Sequence, residues 1–96
     1  MIEYVIEVPS SHLYPGLVLE APADAEDFLV LFTDDSESRA QLLGDASGRP
    51  VLRVGGYMTT SGTVIDERVW TVRETLRTGD RLRIRLGRSL PSPVRG

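Results

Sequence analysis

Ninety-six residues, 41% of them hydrophobic, with a formal net charge of −3, provide for one domain around one modest core. The absence of cysteine excludes a disulfide scaffold, a thiol nucleophile, an iron–sulfur cluster and a cysteine-ligated zinc, and a single histidine, His12, is too few for a histidine-rich metal centre. No apolar run exceeds Phe28–Phe32, far short of the roughly 18 residues of a membrane helix, and the acidic start carries no basic leader region, so the expectation is a cytoplasmic protein with no membrane segment.

In chain order, Ile2, Tyr4, Ile6 and Val8 alternate with Glu3 and Glu7, the period-two pattern of a half-buried strand. Residues 9–16, punctuated by Pro9, Pro15 and Gly16, read as a loop, and Leu17–Glu20 as a short strand. A polar linker follows, with room for one helical turn. Phe28–Phe32 is apolar on both faces, which predicts a central strand covered on both sides.

Residues 34–44 admit two readings. Asp34 and Glu37 have capping-box spacing and Gly44 is a helix stop, which would make a helix over 36–43. Arg39–Leu43 and Pro50–Val54 around the turn-rich segment 44–49 instead predict a hairpin, the preferred reading. Gly55-Gly56 marks a bulge or bend, and Ser61-Gly62 a second hairpin between residues 57–60 and 63–65. A strand over 69–73 places Trp70 and Val72 inward. After a turn at 78–80, Leu82, Ile84 and Leu86 alternate with Arg81, Arg83 and Arg85.

The fold class that follows is all-β and mainly antiparallel: a small barrel or sandwich of six to eight short strands with at most one short helix. The domain spans residues 1–86, and 87–96, with two prolines and two glycines, read as a flexible C-terminal tail. The expected core is Ile2, Tyr4, Ile6, Leu17, Leu19, Phe28, Val30, Phe32, Val51, Val54, Trp70, Val72, Leu82, Ile84 and Leu86.

Charge is polarised along the chain. Residues 1–48 carry ten carboxylates against Arg39 alone, net −9, and residues 49–96 carry ten arginines against four carboxylates, net +6. Every basic residue is arginine, and lysine and asparagine are both missing. Both have AT-rich codons, so a GC-rich bacterial genome accounts for their absence.

No catalytic or cofactor motif is present: no phosphate-binding glycine loop, no nucleophile elbow, and no calcium-loop spacing from Asp34, where position 6 is Arg39 rather than glycine. No cofactor and no metal are therefore expected. The most specific feature is the arginine stripe Arg81, Arg83 and Arg85, with Arg73 nearby. Were the first and last strands neighbours, Glu3 and Glu7 would pair with it across the strands. The leading functional reading is a non-catalytic protein–protein interaction or assembly module of a bacterial cytoplasmic system. Arg73, Arg81, Arg83 and Arg85 would meet an acidic protein surface or a second copy, and Trp70 and Tyr57 would anchor it. One alternative is a small hydrolase or lyase using His12 with Asp34 or Glu67. Another is a single-strand nucleic-acid-binding barrel, disfavoured by the acidic balance of the chain.

Overall fold

The computed structural model describes residues 4–24 and 26–91. They form nine strands: β1 (Val5–Glu7), β2 (Val18–Pro22), β3 (Asp27–Leu31), β4 (Glu37–Gly44), β5 (Pro50–Val54), β6 (Tyr57–Met58), β7 (Val64–Ile65), β8 (Arg68–Thr78) and β9 (Arg81–Pro91). Seven make one sheet in the order β1-β3-β4-β5-β8-β9-β2, and β6 and β7 make a separate two-stranded ribbon. Every neighbouring pair is antiparallel except β1 with β3. The sheet curls into a nearly closed barrel. Its two edges, β1 and β2, approach across a cleft of about 630 Å³ lined by Tyr4, Ile6, Glu7, Glu20, Pro22 and Arg81. The described residues contain no helix, so none is long and apolar enough to cross a membrane.

Alternation sets which side chains turn inward. Ile6 and Val8 are buried while Val5 and Glu7 face out; Ile2 and Glu3, assigned to the same strand, lie outside the described residues. On β9, Ile84 and Leu86 are fully buried and Leu82 packs partly against the core. Phe28 and Val30 of β3 are fully buried, but Leu29 and Leu31 on its other face are only half-buried. A curled sheet has one interior, so this strand, although internal in the sheet, is not covered on both sides as its composition suggested.

Residues 34–44 hold no helix, and β4 and β5 form the expected hairpin, with Ala40 opposite Val54 and Gly44 opposite Pro50. Asp34 caps a turn instead of a helix: its carboxylate accepts from the Ser36 backbone N–H (3.1 Å) and from the Ser36 hydroxyl. β4 begins at Glu37, two residues before the expected start. That is possible because Ser38, buried on the inner face, donates its hydroxyl to the Gly55 carbonyl (2.7 Å), and a buried polar group is tolerated once it is hydrogen-bonded.

The core differs from expectation at β5. Leu52 and Val54 point inward, leaving Val51 half-buried, since residues three apart on a strand cannot share a face. Leu13 also joins the core from within the loop after β1. At the C-terminal side, β9 continues past Leu86 to Pro91, pairing Leu90 with Val69. Residues 87–91, assigned to a tail, are thus strand, and 92–96 lie outside the described residues. The continuation passes through Gly87, a buried residue beside the irregular part of the β8–β9 ladder, where the Arg88 backbone N–H donates to Thr71 Oγ1 (2.9 Å).

Candidate functional site

The arginine stripe lies on the outer face of β9, flanked by β2 and β8. Register places Arg83 between Glu20 and Leu76, and Arg85 between Val18 and Glu74. Glu20 bridges Arg81 (3.5 Å) and Arg83 (3.1 Å), while the Arg85 Nε–H donates to Glu74 (2.8 Å). Among the described residues, the acids that meet the stripe therefore come from the strands beside β9. Among those residues Glu7 makes no ion pair with the stripe, since β1 pairs with β3 and not with β9; Glu3 lies outside the described residues. These pairs are half-exposed, with arginine side-chain exposures of 46–56%. Each guanidinium carries five N–H donors, so one shared carboxylate leaves most of them facing solvent.

Arg73 and Arg77 are exposed and, among the described residues, have no carboxylate partner. They sit where β8 outruns its neighbour: β5 pairs with β8 only from Arg68 to Thr71, whereas β9 follows it to Thr78. Residues 68–91 hold seven arginines against Glu74 and Asp80, net +5. Leu76 is 57% exposed in the middle of this surface.

Trp70 and Tyr57 occupy a different place. They line a pocket of about 380 Å³ with His12, Leu13, Ile65 and Arg68. Trp70 is only 6% exposed and forms a wall rather than a projecting anchor. The Tyr57 ring stacks on Phe32 (centroids 4.8 Å apart, 17° between planes), and burial, then the negative charge of Asp34, pushes its hydroxyl above the ordinary range. Trp70 pairs with Ser89, four residues along β9 from Arg85, or about 13 Å at strand spacing. The structure thus brings Arg81, Arg83 and Arg85 together, puts Arg73 on the neighbouring strand edge, and separates the two aromatics from them.

His12 is exposed, with Nδ1 3.3 Å from Ser11 Oγ and its ring edge-on to Tyr14. Neither carboxylate proposed for it is at hand: Asp34 is held by Ser36, and Glu67 accepts two bonds from Arg53 (3.1 and 3.2 Å). Asp66 lines the same pocket as His12, yet among the described residues no carboxylate hydrogen-bonds to the imidazole. No three His, Asp or Glu side chains among the described residues gather as a metal site.

No protein-family model matches this chain, and no curated protein or solved structure is similar to it. Glu74 and Leu76 were within reach of sequence reasoning. Once Gly79-Asp80 is taken as a two-residue loop, pairing Thr78 with Arg81 puts Leu76 beside Arg83 and Glu74 beside Arg85. Glu20 was not, because only the three-dimensional strand order places β2 against β9.

Proposed function

We propose that the chain is a non-catalytic protein–protein interaction or assembly module of a bacterial cytoplasmic system, and that it receives an acidic protein surface on the β8–β9 hairpin. The observation that carries this is the pair Arg73 and Arg77, exposed and, among the described residues, without a carboxylate partner, on a hairpin of net charge +5. Arg81, Arg83 and Arg85 extend the basic surface across the outer face, and charge complementarity of this kind sets encounter rate and partner choice. The pocket between Trp70 and Tyr57 offers room for one apolar side chain of the same partner. An exposed His12 without a hydrogen-bonded carboxylate gives the hydrolase or lyase reading no support.

Binding to polyglutamate, followed by fluorescence anisotropy at low and high salt, tests the proposal. We expect binding at low salt that weakens as salt screens it, and at least tenfold weaker binding for Arg73→Glu/Arg77→Glu. No binding at low salt, or an unchanged double variant, overturns the proposal. Tighter binding of a random single-stranded oligonucleotide run in parallel would replace the protein partner with nucleic acid. Residues 4–67 carry eleven carboxylates against three arginines, so a second copy is also an acidic surface. Light scattering at both salt concentrations identifies that case as an oligomer that dissociates on screening.

A further inference from the structure

Resting on that reading, we propose that the acidic partner engages by strand addition: an extended segment pairs with the open edge of β8 along residues 73–78. β8 is eleven residues long, and β5 covers only its first four. Two register irregularities, between Trp70 and Val72 and between Val72 and Glu74, lie where β5 stops, at the start of the uncovered stretch. From there on β9 is, among the described residues, the only strand that pairs with β8. In an antiparallel strand alternate residues direct their N–H and C=O to opposite sides, so about three of these six residues present both groups to an edge that no described strand covers. Such an edge is a template for another strand.

Its side chains specify which strand. Thr75 and Arg77 lie on the face shared with Ile84 and Leu82, and Glu74, Leu76 and Thr78 on the face shared with the arginine stripe. An added strand would therefore set one row of side chains beside Arg77 and the alternate row beside Leu76. Acidic residues suit the first row and apolar ones the second. Leu76 has a shallow cleft on either side, about 220 Å³ next to Glu74 and Arg85 and about 130 Å³ next to Thr78 and Arg81. A second copy fits the edge poorly. Two-fold pairing about Thr75 sets Arg73 against the other copy's Arg77, pairing about Glu74 sets that carboxylate against itself, and pairing about Leu76 leaves all the edge arginines without a carboxylate.

The test uses the full chain, ¹⁵N-labelled, with the capped peptide Glu-Val-Glu-Val-Glu-Val-Glu as probe and amide hydrogen exchange as readout. We expect about three amides within residues 73–78 to exchange at least tenfold more slowly when the peptide is bound. Methylating alternate backbone nitrogens of the peptide should weaken binding at least tenfold, and a Lys-Val peptide of equal length should not bind. Protection elsewhere with residues 73–78 unchanged, or equal affinity of the methylated peptide, overturns strand addition. So does a peptide that fails to bind a protein that still binds polyglutamate, and in that case the acidic-partner reading survives. Failure of both ligands removes both.

Discussion

Gly87 shows how much one residue can carry. It is buried, and a Cβ built on it would run into Thr71 Oγ1 while standing 3.1 Å from Arg73 Cγ and 3.3 Å from the Thr71 carbonyl. Thr71 is β-branched, stiff at χ1, and engaged with the Arg88 backbone in both directions. Gly87→Ala should therefore destabilise the protein by about 1–3 kcal/mol, measured by urea unfolding. Adding Thr71→Ala should recover only part of the loss, because the hydroxyl leaves but the backbone carbonyl stays. Full additivity of the two substitutions would show that the contact is not the cause. In the sequence Gly87 opens a segment rich in glycine and proline, and composition pointed to a tail. What makes it strand is the fit of a bare backbone against Thr71, a contact between residues sixteen apart that no local pattern encodes.

The elements themselves were largely legible, because strands of a one-sided sheet must alternate. β9 and the hairpin β4–β5 follow directly from that rule, and Asp45 explains why the hairpin closes where it does. Its carboxylate accepts from the Ser47 backbone N–H (2.8 Å), the Ser47 hydroxyl (2.7 Å) and the Arg49 backbone N–H (2.9 Å), while Gly48 takes φ +84°. The bond from Ser47, then the one from the Arg49 backbone, holds the Asp45 carboxyl below the ordinary carboxylate range. A lowered folded-state value means that this stabilisation is complete above about pH 4 and fades as the pH falls through the lower folded value. Asp45→Ala should thus lower the melting temperature by a few degrees at pH 7, and the gap to the unmodified protein should close in melts below about pH 4. A gap independent of pH would assign the loss to packing rather than to the charge. Alternation misled where polar residues point inward: Ser36, just before β4, and Ser38, within it, interrupt the apolar pattern, and only their hydrogen bonds show how the strand can begin at Glu37.

At the scale of the molecule, one core joins every strand of the large sheet: Leu19, Phe28, Leu52 and Ile84 come from four strands and are each at most 1% exposed. A single core predicts a single transition. Trp70 lies opposite Leu52 across the β5–β8 pair, so its fluorescence reports on the centre. Leu52→Ala should lower stability by about 2–5 kcal/mol, with Trp70 fluorescence and far-ultraviolet circular dichroism moving together. Separated transitions would mean that the β8–β9 hairpin unfolds as its own unit. Fold class and charge polarity were both visible in the chain, because they are sums over many residues. Strand order was not, because it depends on pairings between distant segments: β2 lies beside β9 and brings Glu20 to the arginine stripe.

That same pairing orders events in time. Glu20 faces Arg83 across more than sixty intervening residues, and ladders of such separation form slowly because a long loop must close first. Among the described residues, the strand that pairs with β2 is β9, so during synthesis that pairing waits until residues 81–85 have left the ribosome. The β8–β9 hairpin is local, with a two-residue loop at Gly79-Asp80, and it can assemble within microseconds of emerging. The last of these nine strands to be made is thus the one that captures the second and completes the sheet, and until then the nascent chain exposes the apolar faces of β2 and β3 to whatever chaperone is nearest.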